Sequence, residues 1–290
     1  MARRLTWLDV FTSRPLAGNG LAIVHDADEV DDAAMLGFAR ETKLSETTFV
    51  QTATEAGADY RNRIWMTTRE LPFAGHPSLG TAVAVALARG ERQARYVQQT
   101  GAGLQPVEVE LGDGPVSRAS MLQEPARFGP EPDPSIVLAA LGLLDADGHP
   151  ELPPQFVSCG VEHLMVPVRS ESVLARAHPD ADGLGAVLAE SDAICAYVCW
   201  PEPDGVSVQA RGFFLEGAPL IAGALVAEDP ATGSAAGPLC AYLNARVGAT
   251  TIDIVQGIAM GRPSRIACEA GERVRVAGDV VLLIEGEVSL

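Results

Sequence analysis

Basic residues are scarce in this sequence. Its 290 residues include 21 lysines and arginines against 38 aspartates and glutamates, which gives a formal net charge of -17 at pH 7. Proteins that bind nucleic acids or anionic membranes do so through clusters of Lys and Arg, so a chain this acidic is unsuited to such partners. We therefore expect neither a nucleic acid nor a membrane among its partners.

Long apolar runs are also lacking, and the cysteines are few. No uninterrupted apolar stretch approaches the roughly 20 residues that a membrane-spanning helix needs. Arg3 and Arg4 near the start are not followed by the apolar segment of a signal peptide. The five cysteines are odd in number and scattered along the chain, which favours reduced thiols. Together these features predict a cytoplasmic protein.

The sequence lacks the common motifs for cofactors. It has no Gly-x-Gly-x-x-Gly fingerprint and no Walker motif. Cys159 and His163, like Cys195 and Cys199, have an i, i+4 spacing that would suit zinc on a helix. Both segments are predicted to be strands, in which four residues span about 13 Å, too far for one ion to contact both members of a pair. We therefore expect no metal and no coenzyme.

What the sequence does contain is enough apolar residues for a sizeable core, at 47% hydrophobic against 20% charged. Period-two alternation predicts strands, and a spacing of three to four predicts helices, as for Met35, Phe38 and Ala39 behind a capping Asp31. Predicted helices cover residues 31–43, 78–89, a segment after residue 135, and 232–246. Predicted strands cover residues 4–11, 21–25, 45–50, 60–68, 107–111, 116–121, 156–168, 193–200 and 206–214, with further strands towards the end.

Residues 123–134 are the strongest candidate for a linker. This segment has four prolines in twelve residues, and prolines stiffen a chain and do not continue the interior of a sheet. The predicted organisation is an N-terminal lobe of residues 1–122 and a C-terminal lobe of residues 135–279. A final strand at about 280–290 is a candidate to return to the first lobe.

Two turn–helix junctions resemble each other. Residues 74–78 (Ala-Gly-His-Pro-Ser) lead to Leu87, and residues 230–234 (Pro-Ala-Thr-Gly-Ser) lead to Leu243, at a constant offset of 156 positions. The repetition predicts an α+β fold of two pseudo-symmetric lobes, each a curved, mostly antiparallel sheet around a central apolar helix. The helix N-termini would face a shared cleft, where their N–H groups could bind a carboxylate or enolate. The alternative is that both turns only begin core helices.

Five groups of residues, in this order, resemble the PhzF-like family of the diaminopimelate epimerase fold. None is specific alone, and the resemblance rests on their order and spacing along almost the whole chain. One departure is Gly20, where the family usually has proline after Gly-Asn. The groups are Asp-Val-Phe at 9–11 with Gly-Asn at 18–19, Leu-Ser-Glu-Thr-Thr-Phe-Val at 44–50, Arg-Glu-Leu-Pro-Phe-Ala-Gly-His-Pro at 69–77, Glu-Asp-Pro-Ala-Thr-Gly-Ser-Ala-Ala-Gly at 228–237, and Gln-Gly at 256–257 with Gly-Arg-Pro-Ser at 261–264.

The resemblance implies a homodimeric isomerase that moves a proton on a small cyclic carboxylate without a metal or coenzyme. Its best-known member isomerises trans-2,3-dihydro-3-hydroxyanthranilate on the way to phenazines. The implied site residues are Glu46 as general acid/base, His76 and Asp229 as its assistants, and Asn19, Gly75, Gly233 and Ser234 as substrate-binding residues.

The residue types suit that chemistry. A proton shift beside a conjugated system needs a base whose conjugate acid can return the proton elsewhere. Glu46 lies among apolar neighbours at the start of a predicted strand, where desolvation favours its neutral carboxyl; otherwise it is a rim residue that pairs with Lys43. His76 beside a helix N-terminus would be kept neutral, or else only caps a turn. Asp229 before Pro230 fits both catalysis and helix capping.

Other functions of the same fold remain as alternatives. Epimerases and racemases of this fold use one cysteine at each of the two helix starts, where this chain has Ala74 and Pro230. Cys240 lies deeper in its helix and is predicted to be a core residue. A catalytically silent protein that binds a small carboxylate is a further alternative.

Residues 215–227 form an unusually apolar stretch, with Leu220, Ile221, Leu225 and Val226, just before Asp229. Surface segments this apolar usually cover something. One prediction is a lid that presents an apolar wall to the substrate. An extra strand or a dimer contact is the alternative.

Overall fold

The computed structural model describes residues 1–216 and 225–290. The chain forms two compact units, the first made of residues 1–122 and 277–290 and the second of residues 123–276. No helix in the described part of the chain is long and apolar enough to cross a membrane.

Helices and strands alternate along both units. The helices are α1 (Asp32–Thr42), α2 (Gly75–Arg89), α3 (Pro134–Ala140), α4 (Glu171–Arg176), α5 (Ala181–Leu188) and α6 (Gly233–Val247), with a 3-10 helix at Asp145–Asp147. The strands are β1 (Ala2–Val10), β2 (Asn19–Val24), β3 (Glu46–Gln51), β4 (Tyr60–Trp65), β5 (Glu70–Leu71), β6 (Gln93–Thr100), β7 (Gly103–Leu111), β8 (Val116–Leu122), β9 (Arg127–Phe128), β10 (Gln155–Ser158), β11 (Glu162–Pro167), β12 (Cys195–Pro201), β13 (Ser207–Glu216), β14 (Leu225–Asp229), β15 (Thr251–Gln256), β16 (Ser264–Glu269) and β17 (Arg275–Ser289).

In the first unit, eight strands close on themselves around α2. Strand β1 is antiparallel to β2 and β17, β2 is parallel to β3, and β3 is antiparallel to β4. Strand β4 is parallel to β6, which continues antiparallel through β7 to β8, and β8 pairs with β17. Twelve of the fifteen residues of α2 are buried. A helix that is apolar on all sides needs such an enclosure.

The second unit repeats the strand order of the first. Strand β10 is antiparallel to β11, β11 is parallel to β12, and β12 is antiparallel to β13. Strand β13 pairs antiparallel with β14 and parallel with β15, which is antiparallel to β16. Helix α6 corresponds to α2 and packs on β10, β11, β15 and β16. This correspondence confirms the predicted α+β fold of two similar halves, each a mostly antiparallel sheet with a central helix.

The helix ends correct the predicted alignment of the two halves. Helix α2 begins at Gly75 and is followed by left-handed Gly90, and α6 begins at Gly233 and is followed by left-handed Gly248. Both pairs of glycines are 158 positions apart, so the predicted offset of 156 is wrong. That offset aligned identical serines and leucines, whereas structurally equivalent positions of the two units are defined by the ends of their helices. The counterpart of the N-cap Ala74 is therefore Thr232, two residues after Pro230.

The duplication extends to side chains. In each unit an arginine forms two hydrogen bonds with a glutamate on the next strand and stacks over the aromatic ring two residues later. The nitrogen–oxygen distances are 2.5 to 2.9 Å, and the guanidinium carbons lie 5.4 and 4.8 Å from the ring centroids. These residues are Arg63, Glu70 and Trp65 in the first unit, and Arg211, Glu228 and Phe213 in the second.

Several elements differ from the predictions. The proline-rich segment 123–134 contains β9, which pairs antiparallel with β10 and makes the segment part of the second unit. Strand β6 was not predicted, because its buried residues include Gln98, Gln99 and Thr100, whose polarity hides the alternation. Helix α2 starts three residues earlier than predicted. It can include Pro77, because an N–H at the third helical position has no partner within the helix.

The apolar stretch 215–227 is only partly described. Residues 217–224, including the Leu220 and Ile221 of the predicted lid, lie outside the described residues. At the two ends of the stretch, β13 and β14 pair antiparallel. Leu215 and Val226 pack against the hydrophobic core of the second unit. The described ends therefore extend the predicted strand β13 and add the strand β14, and the lid stays a prediction for residues outside the described ones.

Candidate active site

Glu46 is the first residue of β3, where the parallel neighbour β2 places Leu21 beside it. Its side chain is only 15% exposed. The following residues Thr47, Thr48 and Phe49 are fully buried, so the strand enters the core directly after Glu46. Its carboxyl group therefore lies at the boundary between core and surface, as the apolar neighbours in the sequence predict.

His76 is the second residue of α2, within the first helical turn. Its side chain is 5% exposed, and its Nε2 lies 3.4 Å from Oε2 of Glu46. On the other side of the ring, Nδ1 accepts a hydrogen bond from Nδ2 of Asn19 at 3.3 Å. An amide NH2 can only donate, so Nδ1 carries no proton and the ring hydrogen is on Nε2. Nε2 and Oε2 of Glu46 are therefore close neighbours, but they do not form a hydrogen bond with each other.

Burial decides the charge of this histidine. It lowers the pKa of His76 from 6.5 to about 3. The ring is therefore neutral at pH 7, and its contact with Glu46 is not an ion pair. The sequence predicted a neutral ring from the neighbouring helix N-terminus. The state agrees with that prediction, but desolvation is the main cause.

Asn19 is the first residue of β2 and is held by the turn that precedes it. In this turn Leu16 and Gly18 have positive φ angles of 63° and 66°, and the backbone N–H of Leu16 donates to Oδ2 of Asp9 at 2.7 Å. A side chain on Gly18 would place its Cβ 2.3 Å from the carbonyl oxygen of Val10, so only glycine fits there. The turn thus fixes Asn19 without the proline that the family usually has after it.

Asp229, the last residue of β14, is the predicted site residue of the second unit. Its Oδ2 accepts a hydrogen bond from the hydroxyl of Thr232 at 2.8 Å, and its backbone oxygen accepts one from Nε2 of Gln256 at 2.7 Å. Asp229 is therefore not the N-cap residue of α6. Thr232 occupies the N-cap position, and its side chain is directed to Asp229 and not to the helix amides.

The first turn of α6 contains the remaining predicted residues, Gly233 and Ser234. The N-cap residue Thr232 makes no side-chain hydrogen bond to the amides of α6, and the same holds for Ala74 ahead of Gly75 at the start of α2. Nε2 of Gln123 donates to the carbonyl oxygen of Gly233 at 2.8 Å. Both helices thus begin with backbone N–H groups that no N-cap side chain occupies, an arrangement suited to an anion.

The structure groups the predicted residues by unit. Within the first unit it brings Asn19, His76 and Glu46 into one line of contacts, with Gly75 next to His76 in the chain. Within the second unit it places Asp229 three residues before Thr232, directly ahead of Gly233 and Ser234.

The sequence interpretation missed the polar groups that hold these residues. Gln256 was noticed only as part of a motif, and Thr232, Tyr197 and Gln123 were not singled out. Their partners lie 24 to 110 positions away in the chain. The available signals were the Gln-Gly pair at 256–257 and the motif at 228–237, which contains Thr232.

A thiol mechanism finds no support at the helix starts, whose N-cap residues are Ala74 and Thr232. Cys240 is buried in the middle of α6, as predicted. Burial raises the pKa of its thiol to about 12, so the thiol is protonated at neutral pH. Cys240 therefore has the environment of a core residue.

The two pairs considered for zinc lie in different surroundings. Cys195 and Cys199 are both in β12, as predicted. Cys159 lies in the turn after β10, whereas His163 is in β11, so the prediction of a strand at Cys159 is wrong. Across residues 1–216 and 225–290, no three His, Cys, Asp or Glu side chains are grouped in a way that could hold a metal ion.

Comparison with known proteins places these features in a family. The family model described as phenazine biosynthesis-like protein (PhzC-PhzF) matches residues 8–286. The chain is 35% identical over 296 residues to trans-2,3-dihydro-3-hydroxyanthranilate isomerase of Pseudomonas aeruginosa, and the match covers 99% of each chain. Similar isomerases of Pseudomonas fluorescens and Pseudomonas chlororaphis are each 35% identical over 293 residues.

Solved structures agree with this placement. A predicted epimerase from Pseudomonas aeruginosa superposes with a TM-score of 0.83 at 35% identity and covers 99% of both chains. A PhzF family protein from Bacillus anthracis gives a TM-score of 0.86 at 25% identity over the full length of both. With relatives named as isomerases along its whole length, this chain is an isomerase. It belongs to the PhzC-PhzF family of phenazine biosynthesis-like proteins.

Proposed function

We propose that this isomerase shifts a proton on a small cyclic carboxylate, with Glu46 as the general acid/base and without a metal or coenzyme. The observation that carries the proposal is the line of contacts from Asn19 through the neutral ring of His76 to Glu46. A largely buried carboxyl group beside a neutral imidazole can alternate between base and acid as a proton leaves and returns to the substrate.

In this proposal His76 assists Glu46 from a fixed orientation. Because Asn19 Nδ2 donates to Nδ1 of His76, the ring hydrogen is on Nε2, which lies 3.4 Å from Glu46 Oε2 without a hydrogen bond between them. A small approach of the two groups during turnover would let that hydrogen stabilise the carboxylate once the substrate has taken back its proton. It would also limit rotation of the carboxyl group.

The proposal assigns substrate binding to the helix starts. Gly233 and Ser234 on α6 would bind the substrate carboxylate through backbone N–H groups, and Gly75 on α2 and Asn19 would be further substrate-binding residues. Asp229 would act on the same substrate as a second proton-transfer or orienting group. The relatives' name supports a cyclic, amino-substituted diene carboxylate as the class of substrate. We also propose that the protein is a cytoplasmic homodimer.

Solvent exchange tests this function directly. Candidate cyclic carboxylates, beginning with trans-2,3-dihydro-3-hydroxyanthranilate, are incubated with the protein in deuterated water and followed by mass spectrometry. We expect one deuterium per turnover in the product. In Glu46→Gln the rate should fall at least about 100-fold, because the amide keeps the shape of the side chain but cannot accept the proton. The melting temperature should change little.

Glu41→Gln is the matched control, because Glu41 is exposed near the end of α1 in the same unit. It should keep the wild-type rate. Turnover of Glu46→Gln within a few-fold of wild type would remove Glu46 from the mechanism. Binding of a cyclic carboxylate by the wild type with neither product nor deuterium incorporation would instead favour the catalytically silent binding protein.

A further inference from the structure

Gln256 is a fully buried side chain with every hydrogen-bonding position of its amide in use. Its Oε1 accepts from the hydroxyl of Tyr197 at 2.8 Å and from the backbone N–H of Thr232 at 3.0 Å. Its Nε2 donates to the backbone oxygen of Asp229 at 2.7 Å and to the hydroxyl oxygen of Thr232 at 2.9 Å. An amide has two donors and two acceptor positions, so Gln256 is saturated.

Two backbone groups leave only one orientation for this amide. The N–H of Thr232 can only donate, so it must face Oε1 of Gln256, and the carbonyl oxygen of Asp229 can only accept, so it must face Nε2. The reverse orientation would place the amide nitrogen against the N–H of Thr232 and the amide oxygen against the carbonyl oxygen of Asp229. In a buried site, such donor–donor and acceptor–acceptor contacts cost much free energy. The assignment of oxygen and nitrogen therefore follows from the backbone.

This orientation in turn fixes the hydroxyl of Thr232. Its oxygen accepts a hydrogen from Nε2 of Gln256, which leaves its own hydrogen for Oδ2 of Asp229 at 2.8 Å. Thr232 cannot rotate its hydrogen towards Gln256, because both hydrogens of that amide are donated. The direction of the hydrogen bond that Asp229 accepts is thus set by Gln256, through the hydroxyl of Thr232.

The surroundings leave little space for the network to move. A Cβ at Gly212 would lie 2.7 Å from the hydroxyl oxygen of Thr232 and 3.3 Å from Nε2 of Gln256. Burial raises the pKa of Tyr197 well above its usual value, so its hydroxyl stays a neutral donor to Gln256. Gly257, with a φ angle of 78°, packs against the carbonyl oxygen of Pro230, where a Cβ would come within 2.6 Å.

We infer that Gln256 is a positioning residue that orients the carboxylate of Asp229 through the hydroxyl of Thr232. It does not touch the substrate itself. The inference rests on the proposed role of Asp229 in the proton shift. It adds a buried relay in the second unit, of Tyr197, Gln256 and Thr232, that fixes the direction of the hydrogen bond to Oδ2 of Asp229.

A pair of substitutions at Thr232 provides the test. Thr232→Val keeps the shape of the side chain but removes the hydroxyl, and Thr232→Ser keeps the hydroxyl. For Thr232→Val we expect kcat to fall about 10- to 100-fold, as a catalytic group loses its orientation, with KM within about threefold of wild type. For Thr232→Ser we expect a kcat within about threefold of wild type.

Gln256→Glu tests the other end of the relay. A carboxylate at residue 256 cannot donate, so the hydroxyl of Thr232 would turn towards it and leave Asp229. We expect the same loss of kcat as in Thr232→Val, and no further loss when the two substitutions are combined, because both break the same hydrogen bond. If Gln256→Glu fails to fold, the two Thr232 variants still decide the question.

Thr6→Val is the control for the loss of a buried threonine hydroxyl. Thr6 is fully buried and contacts Nε2 of His25 at 2.9 Å, in the first unit. This variant should lose stability but keep kcat. Equal kcat values for Thr232→Val and Thr232→Ser, with Asp229→Asn inactive, would overturn the relay and leave the proposed function standing. A full rate in Asp229→Asn or Glu46→Gln would contradict the proposed function itself.

Discussion

Buried histidines are the residues whose charge this fold controls most strongly. His76 and His163 are enclosed on all sides, and burial lowers the pKa of each from 6.5 to about 3. Burial, with help from Arg4, also lowers the pKa of His25 to about 4. His76 and His25 have partners, Asn19 and Thr6. Both ring nitrogens of His163 lack a hydrogen-bond partner in the described part of the chain.

These pKa values predict loss of stability in acid. A histidine with a pKa near 6.5 in the unfolded chain and about 3 in the folded protein binds a proton on unfolding between those values. Its contribution to stability is complete above pH 6.5 and declines as the pH falls towards 3. His163→Leu removes one such group without touching the candidate site. We expect the urea midpoint of this variant to fall less between pH 7 and pH 4.5 than that of the wild type.

The exposed His178 provides the matched control. His178→Leu should leave the wild-type pH dependence of the urea midpoint unchanged. If His163→Leu also shows the wild-type pH dependence, burial of His163 does not contribute to acid sensitivity.

Glycine has different roles in different helices of this protein. Gly37 lies on the exposed face of α1, and a Cβ there would have no atom within 4 Å. Gly237 lies in α6, where a Cβ would come within 1.9 Å of Oε1 of Gln123. Gln123 is held in place by its hydrogen bond to Gly233 in the same helix. Gly237 is therefore required for packing, whereas Gly37 only lowers helix propensity.

The same substitution should consequently have opposite effects in the two helices. Gly37→Ala should raise the free energy of unfolding by about 0.5 to 1 kcal/mol, because alanine favours the helix. Gly237→Ala should lower it by about 1 to 3 kcal/mol through overpacking against Gln123. Urea titration of both variants measures this. A stabilising Gly237→Ala would mean that Gln123 moves aside at little cost, and its contact with Gly233 would then be dispensable.

On the scale of the whole molecule, the same order of strand pairing occurs in both units. The order of pairing from β1 to β7 recurs from β10 to β16, and each half encloses the N-terminal glycine of its own helix. Only the first unit recruits the C-terminal residues 277–290, which pair with β1 and β8. The proposed site residues are divided in the same way, with Glu46 and His76 in the first unit and Asp229 in the second.

The proposed mechanism predicts an enzyme that needs only its own side chains. Purified protein should show no flavin or nicotinamide absorbance above 300 nm, and dialysis against EDTA should leave the isomerase rate unchanged. Elemental analysis is the independent measurement. Stoichiometric zinc, together with loss of activity on chelation and recovery on adding zinc, would replace the carboxylate mechanism with a metal-assisted one.

Much of the fold could be predicted because its signals are local. Asp31 at the start of α1 and the apolar length of α2 are visible in short windows of sequence, as are the alternating residues of β4. Strand β6 was missed because it buries Gln98, whose partner Asn62 lies on another strand. The predicted alignment of the two halves was displaced by two residues, because identical residue types in the two junctions do not occupy equivalent positions relative to the helix ends.

The sequence by itself determined the family and the two-part α+β plan, and it supplied the proposed site residues, since these depend on motifs and local periodicity. Tertiary structure decided how those residues are held. The proton position on His76 depends on Asn19, 57 positions away, and the direction of the hydrogen bond to Asp229 depends on Gln256, 27 positions away. Such states depend on burial and on donors and acceptors that meet only in the folded chain, because neither desolvation nor hydrogen-bond direction is encoded in adjacent residues.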